Sequence, residues 1–209
     1  RVRAELLRAG RQDLLEEICV SDAAIPGWSR ATSVEWRDGV LHLETDVTWS
    51  DSKGNRPALQ RDGDRIRKVV PAEVRELVSD AATDMSEDVA AITLDPFVRS
   101  RRSRVAWALP ATRDVRVEDG ADGAVLVSAT TAFTLDPRAA AAGAALERAT
   151  HWDLHLHARF GNSSTDRAVR SDIPASVTVT SGTLHLVYPN DGGNATVIPG
   201  GEREAVRRL

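Results

Sequence analysis

Residues 151–161 read His-Trp-Asp-Leu-His-Leu-His-Ala-Arg-Phe-Gly. Trp152, Leu154, Leu156 and Phe160 fall on one face of an extended strand. His151, Asp153, His155, His157 and Arg159 fall on the other. A period of two with one apolar face marks a strand that covers a core on one side only. The stretch therefore commits the chain to a sheet with one face buried and one face polar.

The same period recurs along most of the chain. Val34 and Trp36 alternate, Arg37-Asp38-Gly39 turns, and Leu41, Leu43, Val47 and Trp49 alternate again. Asp-Gly between two alternating runs is a strong hairpin signal. Further strands are expected at 66–70, 90–94 and 104–109, and a short one at Val115 and Val117. A long strand buries Val125, Val127, Phe133 and Leu135. A second hairpin, 176–180 with 183–188, turns at Ser181-Gly182, and 194–198 supplies a last strand. Four of the five tryptophans (Trp36, Trp49, Trp107 and Trp152) take inward strand positions, as large core fillers should. Many short strands at near-regular spacing predict a mainly β chain folded as a β-sandwich.

Helix is expected at the N-terminus. Val2, Leu6, Leu7, Leu14, Leu15 and Ile18 recur at helical spacings over 1–19, with Gly10 as a weak point. Pro71 suits the first turn of a second helix, 72–79. The organisation expected is a helical linker end at 1–28, a sandwich at 29–200 and a charged tail at 201–209. The chain begins at Arg1 and its only methionine is Met85, so a preceding segment is expected.

Composition narrows the function classes. A net charge of -4 argues against a nucleic-acid binder, which would usually be basic. Cys19 is the only cysteine, so no internal disulfide can form and a reducing, cytoplasmic setting fits. No apolar run approaches the roughly 20 residues that span a bilayer.

Two groups of residues carry candidate chemistry. The first is the polar row His151, Asp153, His155 and His157, which reads as a solvated sheet face or as a face for a partner or saccharide. His155 and His157 point the same way and could share an ion, which supports an alternative reading as a free-standing metal-dependent enzyme on a sandwich fold. A straight row of four residues spans too far for one ion, and His42 and His185 stand alone, so no metal site is assigned. The second group is Arg99, Arg101, Arg102 and Arg104, the densest basic run, whose guanidinium forks suit phosphate. It reads as a solvated loop or as a contact for a polyanionic chain or membrane surface. Asp62-Gly63-Asp64 spells the metal-holding DxD of sugar-nucleotide transferases, but with no apolar run before it a solvated turn is expected. No Gly-x-Ser-x-Gly elbow and no phosphate-cradling glycine loop is present, and no catalytic residue is assigned.

Three stretches together resemble a known family. They are Ser33-Val34-Glu35-Trp36-Arg37-Asp38-Gly39-Val40-Leu41-His42-Leu43, Trp152 to His157 running on to Gly161, and the closing hairpin with Thr180 and Gly182-Thr183-Leu184-His185-Leu186. In this order, over roughly 29–190, they resemble the C-terminal immunoglobulin-like accessory domain of bacterial family 2 glycosyltransferases that decorate wall teichoic acid and related cell-surface polymers. The resemblance implies an immunoglobulin-like β-sandwich after a short helix and a non-catalytic module. It would act in oligomer assembly or acceptor-polymer binding, at the inner face of the membrane. It also implies an upstream GT-A catalytic domain, a homo-oligomer and an anionic cell-surface polymer as partners, with no nucleic acid. This stretch would carry no cofactor; the parent enzyme would use a divalent metal and a nucleotide-sugar.

Overall fold

The alternating segments build two antiparallel sheets packed face to face, so the chain is a mainly β sandwich with a short helical N-terminus. A computed structural model describes residues 1–23, 25–51 and 53–200, and the expected tail at 201–209 lies outside them. From the N-terminus run α1 (Val2–Arg8), α2 (Gln12–Ala23), β1 (Gly27–Arg37), β2 (Val40–Trp49), β3 (Leu59–Asp62) and β4 (Arg65–Lys68). Three short helices follow: α3 (Ala72–Arg75), α4 (Asp80–Thr83) and α5 (Ser86–Ala90). Then come β5 (Thr93–Ser100), β6 (Ala106–Ala108), β7 (Ala111–Asp119), β8 (Val125–Leu135) and β9 (Trp152–Phe160). The last strands are β10 (Ser163–Ala168), β11 (Ser176–Thr180), β12 (Thr183–Pro189) and β13 (Ala195–Pro199).

One sheet has four strands in the order β1-β2-β8-β7. The other has seven, in the order β11-β12-β13-β9-β5-β6, with β10 also paired to β9. Both expected hairpin turns form with positive φ at both central residues, 51° and 78° at Asp38-Gly39 and 50° and 75° at Ser181-Gly182. Two positive φ values match the right-handed twist of the flanking strands. Asp62-Gly63-Asp64 is the expected turn, closing the separate β3–β4 hairpin with Gly63 at φ 57°.

The inner faces meet in one core. Leu41, Leu43, Val47 and Trp49 of β2, with Val127, Phe133 and Leu135 of β8, face Leu94 and Val98 of β5 and the apolar row of β9. Trp49 meets Phe160 edge-on with ring centroids 5.3 Å apart. Trp49 and Trp152 are buried, whereas Trp36 and Trp107 are only half-buried, because they sit on the edge strands β1 and β6.

Several boundaries differ from the sequence expectation. The N-terminal helix is two helices, because Gly10 (φ 70°) ends α1. Its N–H reaches Leu7 O at 3.1 Å and that of Arg11 reaches Leu6 O at 3.0 Å, a paired closure typical of a glycine helix end. The α3 helix stops at Arg75, and two unexpected helices, α4 and α5, follow at 80–83 and 86–90, so the strand expected at 90–94 starts only at Thr93. Residues 104–105 leave the strand because Arg104 takes a left-handed φ of 63° to close the turn after β5. The second apolar cluster explains the short helices: Val2, Leu6, Leu14 and Ile18 pack on Val74 and Ala82. Residues 1–23 thus share a small core with helices that the chain adds after β4.

One edge of the four-stranded sheet is laced to the other sheet. The Ala31 N–H donates to Arg170 O at 2.7 Å and the Arg170 N–H to Ser29 O at 3.0 Å. The neighbouring Val169 N–H donates to Leu154 O in β9 at 2.8 Å, so residues 169–171 tie β1 to the seven-stranded sheet. The opposite edge, β7, pairs with β8 alone over its whole length.

Candidate functional site

The structure brings the two candidate groups together. β5 and β9 are neighbours, with Arg99 across from Asp153 and Phe97 across from His155. The arginine run leaves the end of β5 beside the start of β9, and two of its side chains, Arg99 and Arg101, bond Asp166 and Asp153 beside the polar row of β9. Arg99, Arg101 and that row share one surface, the outer face of the seven-stranded sheet.

Two clusters order that surface. In the first, Arg101 grips Asp153 with Nε at 2.8 Å and a terminal nitrogen at 2.7 Å, a two-pronged charge-assisted contact. The buried Thr196 hydroxyl of β13 donates to the same carboxylate at 2.6 Å and accepts from the Asn190 amide at 3.0 Å. Burial raises the pKa of Asp153, but Arg101 and Thr196 outweigh it and hold the carboxyl below its ordinary value. In the second cluster, Asp166 of β10 accepts from Arg99 at 2.7 Å and lies 3.0 Å from His155 Nδ1. The His155 ring stacks on Phe97 at 5.0 Å between centroids, and the Arg99 guanidinium lies over the same Phe97 ring at 4.9 Å. Asp166 is likewise held below its ordinary value: burial raises it, and Arg99 and His155 more than offset this.

The other expected site residues are placed less tightly. Arg102 pairs with Glu147 at 3.0 Å on the exposed rim. Arg104 sits in the turn with its backbone N–H on Ser100 O. His151 is exposed and meets Tyr188 edge-on. His157 Nε2 lies 3.2 Å from Ser164 Oγ.

The chemistry open to this arrangement is limited by who bonds whom. Ser164 and His157 have the contact of a nucleophile and its base, but the nearby carboxylate, Asp166, serves His155 instead. His155 and His157 engage different partners, and among the described residues no group of three or more His, Cys, Asp or Glu is placed to hold a metal ion. A cavity of about 240 Å³ lies elsewhere, between α1, the β3–β4 hairpin and the end of the sandwich. What the outer face offers is a flat array of fixed donors and acceptors with two aromatic contacts.

Asp166, Phe97, Thr196 and Tyr188 complete the array and were not anticipated from sequence. A signal for Asp166 existed. Gly161-Asn162 after the alternating run is a hairpin turn, with Gly161 at φ 55°, and it returns the chain as β10. No protein-family model matches the chain, and a search of curated proteins finds no match. Among the described residues no helix is long and apolar enough to cross a membrane.

Proposed function

We propose that this chain is a non-catalytic accessory module of a bacterial cell-surface polymer glycosyltransferase. It would hold the saccharide portion of the acceptor polymer on the outer face of the seven-stranded sheet. The attribution to such an enzyme rests on the three-part sequence resemblance, and the role assigned to the face rests on its charge pattern. Arg99, Arg101 and Arg159 are opposed on that face by Asp95, Asp153 and Asp166, and the closest of them are bonded to one another. A neutral array of planar donors and acceptors beside aromatic rings suits hydroxyl-rich sugars. A phosphate trap would leave its arginines unpaired.

The test compares binding to a glycosylated polyol-phosphate polymer with binding to the same polymer stripped of its sugars, each at two salt concentrations. The reading expects binding that needs the sugar, changes little with salt, and weakens in His155→Ala and Asp153→Ala. Equal binding to both polymers with a steep salt dependence would assign the contact to phosphate and overturn it. So would an absence of binding to either.

A further inference from the structure

The β7 strand has a free edge whose chemistry is self-complementary. Its register with β8 extends to a Thr134 N–H donating to Pro110 O at 3.2 Å and a Gly120 N–H donating to Ala124 O at 2.8 Å. Bonded and non-bonded pairs alternate along an antiparallel ladder. Thr112, Asp114, Arg116 and Glu118 therefore bond β8. Ala111, Arg113, Val115, Val117 and Asp119 turn their N–H and C=O groups away from it. Among the described residues these outward groups have no backbone partner.

The other edges are laced or shorter. β1 is laced to residues 169–171, and the edge strands β6, β10 and β11 have three, six and five residues. By contrast, β7 runs nine residues with no proline, no lysine and no break in its register, and almost all of it is exposed. Its charges are the usual protection for such an edge. Their order, however, admits one partner.

We infer that β7 pairs antiparallel with β7 of a second copy of this chain, about a two-fold axis through Val115. Only odd-numbered residues offer outward groups, so an odd residue must face an odd residue. Pairing all nine then sets Val115 against its copy, Arg113 against Val117, and Asp114 against Arg116, twice. Within one strand Asp114 already lies 3.5 Å from Arg116. In the pair, four charges form a square in which every neighbour is opposite. Sliding by two residues in one direction sets Asp114 against itself, and in the other sets Arg116 against itself. Like charges directly across a ladder are unfavourable. The two four-stranded sheets would become one continuous eight-stranded sheet. This edge is separate from the saccharide face, and neither proposal depends on the other.

Sedimentation across a concentration series, together with amide exchange, tests this on the chain as it stands. The expected result is a monomer–dimer equilibrium in which Arg113, Val115 and Val117 amides gain protection as concentration rises. Asp114→Arg or Arg116→Asp alone should weaken the dimer by about tenfold or more, because each change turns two attractive pairs into repulsive ones. The double swap Asp114→Arg/Arg116→Asp should restore it. Since Val117 points its N–H outward, Val117→Pro should also weaken the dimer while leaving the β8 ladder intact. Three outcomes overturn the inference. They are a monomer at all concentrations, a dimer indifferent to the single swaps, and β7 amides protected equally at high dilution, which would mean that the chain covers its own edge.

Discussion

Asp166 Oδ1 lies 3.0 Å from His155 Nδ1, and yet the pKa of His155 is lowered. Burial dominates and the carboxylate offsets it only in part; Arg99 adds to the lowering. His185 moves the same way for the same leading reason, with Arg138 contributing, and neither of its ring nitrogens has a partner. Both histidines therefore sit below their ordinary 6.5 in the folded chain. As pH falls through 6.5 the unfolded chain takes up these protons first, so stability is lost on acidification. The melting temperature should drop between pH 7.5 and pH 5.5. His185→Leu, which removes both orphaned nitrogens, should flatten that drop and raise stability at the acid end. An identical pH profile in the variant would contradict this account.

The two clustered carboxylates act at lower pH. Asp153 and Asp166 are held below their ordinary 3.8, so their contribution persists until pH falls through that value. A second, separate loss of stability is expected below it. A double-mutant cycle on Arg101 and Asp153 should give a coupling of about 1 kcal/mol, since the carboxylate is partly buried and held on two sides. The coupling should exceed that of Arg30 and Asp172, which are both well exposed.

Trp152 is 3% exposed and its indole N–H donates to Glu147 O at 3.2 Å. Trp152→Ala should cost about 3–5 kcal/mol in urea unfolding, the range for truncating a large core side chain. Trp152→Phe keeps most of the volume and should cost far less. Equal losses would mean that packing is not what Trp152 supplies.

Gly39 and Gly182 occupy equivalent turns with similar φ, 78° and 75°. A Cβ on Gly182 would meet nothing within 4 Å, whereas one on Gly39 would lie 2.2 Å from Thr180 Oγ1. Gly182→Ala should cost about 1 kcal/mol for the left-handed backbone alone. Gly39→Ala should cost clearly more, and Thr180→Ala should recover the excess but not the common part. Melting curves of Gly182→Ala, Gly39→Ala, Thr180→Ala and the Gly39→Ala/Thr180→Ala double variant separate the two contributions.

The sequence made the strands with a clean period legible, because burial on one face imposes that period directly. Trp152 to Phe160, the Asp38-Gly39 turn and the Ser181-Gly182 turn all follow from local chemistry. Alternation reports which face a side chain takes but not how far it lies from the sheet margin, so Trp36 and Trp107 were expected deeper than they are. The short helices at 72–83 pack Val74 and Ala82 against Val2, Leu6 and Ile18, and α5 packs Val89 into the sandwich core, long-range contacts that no local propensity records. The polar face was legible as a row and not as a network. Arg99 and Asp166 are 67 residues apart, and only the antiparallel return of β10 brings them together.

The lacing of Ala31 to Arg170 sets a condition on how the chain can be made. The strands of the four-stranded sheet are complete by Leu135, but the segment that seals its β1 edge is synthesised later. A chain emerging from the ribosome therefore carries that sheet with both margins unsealed until residue 171 has followed. The contact spans most of the sequence, and closures of that length are slow. The C-terminal third thus seals an edge whose own strands are all synthesised before it, and truncation before residue 169 should leave a product prone to aggregate rather than a smaller stable domain.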